Sequence, residues 1–338
     1  MIKINTSKYT GQYLSVNQTN ADFRISRWDL ARAFMTIGYP KLYNAISQLG
    51  LGRFLELYFR TRNYVEYNNA NYLKLKRSFF TLDPSEQKSI SYFIGQSLTK
   101  LFAEKKLGCI LVDNINNHKT LIRFITGSAT FTPKVKLYST TKNPREPDLL
   151  GISRGSEYHI LEAKGYSSGF KAAEFQHAIN QVSKVNTVNS KIPLTKSACF
   201  FDLSTSPFVG TIVDPDSDDK NLEIVFEENL FLEEYYSIFN LKFLNRKTFW
   251  TIQLGFFEFA LFRVFPPHQP FIYYGVEFSI FEKINRRKTL TISDLPKIVE
   301  FENRSDEKLN YSIGPDGIIF LEIRNPLRMK LVRATKWV

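Results

Sequence analysis

The sequence predicts an α/β layer over residues 83–213, set between a basic helical N-terminal domain (1–82) and an aromatic-rich α+β C-terminal domain (214–338). Three observations predict it. A well-capped amphipathic helix opens the middle segment at Asp83. Short strand-like runs, a second helix and a further strand follow it. Beyond the acidic turn DPDSDDK (214–220) the composition changes, and runs rich in Phe and Tyr take over.

In the first segment Ser26 can cap the helical run RWDLARAFMTIG, which Gly38 ends. PKLYNAISQLG then starts with Pro40 and stops at Gly50, and LGRFLELYFRTR continues the helical pattern. Next, Tyr64, Tyr67 and Tyr72 interleave with Lys74, Lys76 and Arg77, the three candidate nucleic-acid-binding residues. Basic residues among aromatics suit base stacking and phosphate contact, and they equally suit a tyrosine-rich surface.

At Asp83 the run DPSE supplies an N-cap, a proline at the first helical position and a capping glutamate. Ile90, Phe93, Ile94, Leu98, Leu101 and Phe102 fall at helical spacing up to the stop at Gly108. CILVD, TLIRFIT, VKLYST, PDLLGIS and EYHILEAK read as strands, GFKAAEFQHAINQVSKV as a helix and SACFFDL as a strand. In the last segment LFLEEYYSIFNLKFLNR reads as helical, while FFEFALFRVF and FIYYGVEFSIFEKI read as strands.

Bulk properties narrow the function classes. No apolar run approaches the roughly 18 residues of a membrane span, and the N-terminal stretch lacks the apolar core of a signal peptide. Cys109 and Cys199 lie in separate apolar runs and read as reduced, buried thiols, which points to a cytoplasmic protein. The net charge of +12 is uneven. Residues 1–82 hold 12 Lys and Arg against 4 Asp and Glu; 83–213 hold 16 against 10; 214–338 hold 17 against 19. A basic first two-thirds fits a polyanionic partner, most simply nucleic acid, and also fits an ordinary soluble basic surface. The four histidines form no zinc-ligand spacing, and no GxxxxGK[ST] loop is present. The Asp214–Asp218 run lacks the glycine and the final glutamate of a calcium loop.

The chemistry concentrates at 145–166, REPDLLGISRGSEYHILEAKGY. Arg154-Gly155-Ser156 is a plausible turn. A hairpin folded about Gly155 sets Ile152 opposite Tyr158, Leu150 opposite Ile160 and Asp148 opposite Glu162, all on one face. Lys164 shares that face. Opposed carboxylates destabilise a sheet, but together they can hold a hard divalent cation. Lys164, between two acids, is suited to an electrostatic role rather than to general-base work.

Pro147-Asp148 followed by Glu162-Ala163-Lys164 resembles the hallmark of the PD-(D/E)XK nuclease superfamily, and the resemblance covers about 83–213. It implies a restriction-endonuclease-like core of helix, mixed sheet, helix and strand. It implies Mg²⁺, with Mn²⁺ able to substitute, held by Asp148, Glu162 and the Ala163 carbonyl. It offers Glu104 as an assisting acid on the first helix, with Glu86 as the alternative, and Gln176 or Gln181 as a glutamine on the second. The implied activity is that of an endonuclease acting on DNA in preference to RNA, alone or beside a separate ATPase or other subunit. A role in bacterial defence or in a mobile element follows only by association. Two other readings stand beside it. One is a non-catalytic nucleic-acid-binding module that keeps the nuclease fold. The other is an assembly subunit that recruits a partner through its aromatic C-terminal surface.

Overall fold

The computed structural model describes residues 1–37, 52–115, 123–126, 129–131, 146–216, 222–240, 248–264, 271–298, 309–323 and 332–335. The expected helix at 40–50, the expected strand at 135–140, and His118 and His268 lie outside these residues.

The described helices are α1 (Arg27–Ile37), α2 (Gly52–Tyr64), α3 (Pro84–Lys106), α4 (Ala172–Ser183), α5 (Glu228–Tyr235) and α6 (Phe278–Asn285). The strands are β1 (Ile2–Ser7), β2 (Gln18–Phe23), β3 (Val65–Tyr67), β4 (Leu73–Leu75), β5 (Cys109–Asn114), β6 (Arg123–Thr126), β7 (Ala129–Phe131), β8 (Leu149–Ser153), β9 (Glu157–Tyr166), β10 (Val185–Val188), β11 (Thr195–Asp202), β12 (Val209–Val213) and β13 (Leu222–Val225). Six more follow: β14 (Thr248–Leu254), β15 (Phe257–Arg263), β16 (Phe271–Glu277), β17 (Leu309–Ile313), β18 (Ile318–Ile323) and β19 (Val332–Thr335).

A mixed seven-stranded sheet, in the order β2-β1-β12-β11-β9-β8-β5, carries the central hairpin. β9 pairs parallel to β11 and antiparallel to β8. Strands β5, β8 and β11 are buried almost throughout, which explains their continuous apolar runs. α3 covers one face. Its start is fixed by the Asp83 carboxylate, which accepts from the Ser85 and Glu86 amides. Gly95 of α3 meets Gly165 of β9 so closely that a Cβ on Gly165 would lie 2.1 Å from the Ser91 carbonyl oxygen. Side chains alternate along a strand, so Glu162 and Lys164 point to the other face. There Phe200, the β11 neighbour of Lys164, packs on Phe175 of α4.

A four-stranded sheet (β10-β13-β6-β7), a six-stranded one (β17-β18-β16-β15-β14-β19) and the β3–β4 hairpin complete the architecture. One apolar core joins residues from all three sequence segments, including Ile4, Phe34, Leu101, Leu161, Phe231 and Phe320. No described helix is long and apolar enough to cross a membrane. Cys109 and Cys199 are buried free thiols.

Three expectations are corrected. Residues 1–82 are not a purely helical segment: β1 and β2 lie in the central sheet, with β1 parallel to β12, so strand pairing runs across the boundary expected at 82. β13 likewise pairs with β10 and β6 across the boundary expected at 213. The run FIYYGVEFSIFEKI is half strand and half helix, because Glu277 caps α6 by accepting from the Ser279 and Ile280 amides.

Candidate active site

The hairpin turn at 154–156 places Gly155 at φ +86° and Ser156 at φ +54°, a left-handed path that glycine tolerates at its first position. The ladder pairs Ile152 with Tyr158, Leu150 with Ile160 and, last, Leu149 with Leu161. Just beyond it Pro147 has no amide proton to extend the pairing. Side chains take over there. Glu162 Oε2 accepts from the Asp148 amide at 2.8 Å, and Asp148 Oδ2 accepts from the Ala163 amide at 3.3 Å. Lys164 Nζ donates to Glu162 Oε1 at 2.5 Å.

Glu162 is 1 % exposed, while Asp148 and Lys164 retain partial exposure. Burial, and then the Asp148 charge, push the Glu162 carboxyl up to about 8. Burial also raises Asp148, although Lys164 pulls it back down. Burial works against the Lys164 ammonium, but Glu162 and Asp148 outweigh it and hold Lys164 above its ordinary value. Two acids that resist ionisation beside a lysine that resists deprotonation form a site short of positive charge.

Two residues that sequence reasoning passed over complete the cluster. Tyr92 of α3 donates to Asp148 Oδ1 at 3.4 Å and accepts from Gln96 Nε2 at 2.6 Å. Burial, then Asp148 and Glu162, push the Tyr92 hydroxyl far up, so it stays a donor. Their i, i+4 spacing is the only signal the sequence offers.

The other expected residues divide. Gln181 of α4 donates to the Glu146 carbonyl at 3.0 Å, two residues before Asp148, and its buried Oε1 has no partner among the described residues. Gln176 is exposed and bonds Asn180. Glu104 is not brought to the site. It lies 12 residues after Tyr92, about 18 Å along the helix axis, and forms a bidentate pair with Arg32. Glu86 sits in the exposed first turn of α3. On the opposite face His159 packs edge-on to Tyr13 and bonds Thr195.

Lys74 pairs with Glu66, Lys76 donates to the Arg62 carbonyl, and Arg77 is exposed. Their hairpin is tied to the sheet by the Leu73 amide on the Met1 carbonyl and by the Phe208 amide on the Leu73 carbonyl. The loop leading to Phe208 begins where Leu203 bonds the Tyr166 carbonyl. The basic hairpin therefore stands at the same end of the sheet as Lys164. Beside Lys164 lie Tyr166, Phe200 and the half-exposed Phe170, whose ring centroid is 4.8 Å from that of Phe200.

Oxygen donors alone suit a hard cation. Among the described residues no three His, Cys, Asp or Glu side chains cluster as ligands. Two carboxylates held together at an electrostatic cost are nonetheless the donor set that such an ion relieves. The Ala163 carbonyl points the same way as its own amide, toward Asp148, because the two share a side in an extended strand. No protein-family model, curated protein or solved structure matches the chain.

Proposed function

We propose that the chain is a divalent-cation-dependent nuclease of the PD-(D/E)XK type, with a restriction-endonuclease-like core, that hydrolyses phosphodiester bonds in DNA in preference to RNA. One observation carries the reading: Glu162 is buried against Asp148 at the open end of a hairpin, with Lys164 bonded to it. The order α3, β5, β8–β9, α4, β11 supports the core assignment, and the basic hairpin at 65–77 supports a polyanionic substrate.

Asp148, Glu162 and the Ala163 carbonyl would hold Mg²⁺ or Mn²⁺. Such an ion supplies positive charge at the scissile phosphate and makes an attacking water more acidic. Lys164, kept protonated by its two acids, orients the phosphate and stabilises the charge that grows on it in the transition state. Tyr92 fixes one Asp148 oxygen and leaves the carboxylate a single orientation. Gln181 braces the chain entering Asp148 through the Glu146 carbonyl.

The test is cleavage of supercoiled plasmid, single-stranded DNA and RNA with Mg²⁺, Mn²⁺ or EDTA, beside Asp148→Ala and Lys164→Ala. Metal-dependent cutting is expected, and each substitution should reduce it by about 10²-fold or more. Cutting that survives both substitutions would sink the assignment of the site. Salt-sensitive binding without cutting would favour a non-catalytic module.

A further inference from the structure

A cavity of about 240 Å³ opens between α1, α2 and β18, away from the acidic hairpin. Its walls carry Trp28 and Tyr58, Glu322 is its buried carboxylate, and Arg27 and Arg62 line its more exposed part. Trp28 is held by stacking on Phe320, with centroids 5.9 Å apart and planes at 20°. Glu322 is 6 % exposed. Its Oε2 accepts from Asn310 at 2.8 Å, but among the described residues its Oε1 receives only the long 3.4 Å contact from the Tyr58 hydroxyl. Among the described residues neither arginine forms an ion pair and no cation pairs with Glu322. A buried carboxylate facing a cavity without a cation is matched by neutral N–H donors.

The cavity thus offers aromatic walls for a planar ring, a buried acceptor for that ring's N–H edge, and two guanidiniums nearer solvent for an anion. We propose that it binds one nucleotide, with its base between Trp28 and Tyr58 and its phosphate on Arg27 and Arg62. Guanine fits best, because its adjacent N1–H and N2–H groups both donate. Uracil fits worst, because carbonyls flank its single N–H and face the carboxylate. At about 240 Å³ the cavity encloses a base, and the ribose and phosphate extend from its open side toward the arginines. Its surroundings suit a phosphate: the Arg27 amide donates to the Tyr67 hydroxyl at 2.8 Å, and Lys76 donates to the Arg62 carbonyl, so the cavity adjoins the basic hairpin. This inference does not depend on the Asp148 site.

The same chemistry is available from a free nucleotide and from an unpaired nucleotide of a chain. The test is calorimetric titration of the full-length Lys164→Ala protein in EDTA, so that cleavage plays no part. Ligands are GMP, UMP, guanosine, and a short single-stranded oligonucleotide with one guanine or an abasic residue in its place. GMP should bind about tenfold or more tightly than UMP. Arg62→Ala should weaken GMP by about three- to tenfold and guanosine by clearly less, because Arg62 meets the base site only through its long 3.4 Å bond to the Tyr58 hydroxyl. Glu322→Gln should abolish the preference for GMP over UMP. A guanine oligonucleotide that outbinds both GMP and its abasic counterpart identifies a chain-borne nucleotide; GMP outbinding the oligonucleotide identifies a free one. No binding of GMP at millimolar concentration, equal binding of GMP and UMP, or indifference to Arg62→Ala overturns the proposal.

Discussion

At the residue scale Glu162 controls the behaviour of the site. Its carboxyl is raised from 4.5 to about 8 by burial and by Asp148. The folded protein therefore keeps a proton that the unfolded chain releases in that window. Its contribution to stability is complete below the unfolded value and is lost as pH rises through about 8. Glu162→Gln removes the titration while keeping an acceptor for the Asp148 amide. In the absence of metal the variant should match the wild type near pH 5 and exceed it by roughly 1–3 kcal/mol at pH 8.5. Mg²⁺ should then raise the wild-type melting temperature increasingly with pH and leave the variant unmoved. Denaturant melts at the two pH values, with and without Mg²⁺, decide the matter. A difference between the proteins that is independent of pH would contradict this account.

At the element scale the site depends on how closely α3 lies on β9. Gly95 and Gly165 bring two backbones into contact, and a methyl on Gly165 would meet the Ser91 carbonyl rather than a side chain that could swing away. Gly165→Ala should cost about 1–3 kcal/mol and should reduce cleavage as well, because Lys164 precedes it in the same strand. Gly155→Ala strains only the turn, by about 1–2 kcal/mol, and should leave cleavage near wild type. Paired melting and cleavage measurements test the contrast, and equal losses of activity would remove the α3 contact from the explanation. The same elements explain what could be read from the sequence. A period-two strand folded about one glycine has a single register, so the meeting of Asp148 with Glu162 followed from spacing. Helix periodicity carries no such index of which turn faces a neighbouring strand. Glu104, offered by the resemblance alone, lies away from the site, while Tyr92 and Gln96, about three and two turns earlier, meet Asp148 directly and through Tyr92 respectively. The aromatic run at 271–284 suits strand and helix equally until Glu277 caps it.

At the scale of the whole molecule, buried charge joins segments that the sequence reads as separate. Arg32 of α1 pairs with Glu104 of α3 and bonds Ser312 of β17, and its guanidinium lies 4.0 Å from Asp316. Lys100 of α3 contacts Glu104 and Asp316, each at 3.4 Å, and bonds the Tyr235 hydroxyl at the end of α5. Asp29 closes the set, accepting from Lys105 and Ser312. Three cations thus face three carboxylates, drawn from residues 29–32, 100–105 and 316. Apart from the i, i+4 pair of Lys100 with Glu104, these pairings have no local signature, since partners up to 283 positions apart are brought together only by the fold. The parallel pairing of β1 with β12 is equally silent in sequence. A fragment of residues 83–213 keeps Asp148, Glu162, Lys164 and both covering helices. It loses β1 and β2 from the sheet, leaves β12 as a bare edge strand beside β11, and strips Lys100 and Glu104 of Arg32 and Asp316. Removing one partner from a buried ion pair costs about 3–5 kcal/mol, comparable with the roughly 5–15 kcal/mol that holds a whole domain together. The fragment should therefore show neither dispersed amide resonances nor a cooperative melt, and the full chain should unfold in one transition. A fragment that folds cooperatively and cuts DNA would show instead that the flanking segments serve the substrate rather than the fold.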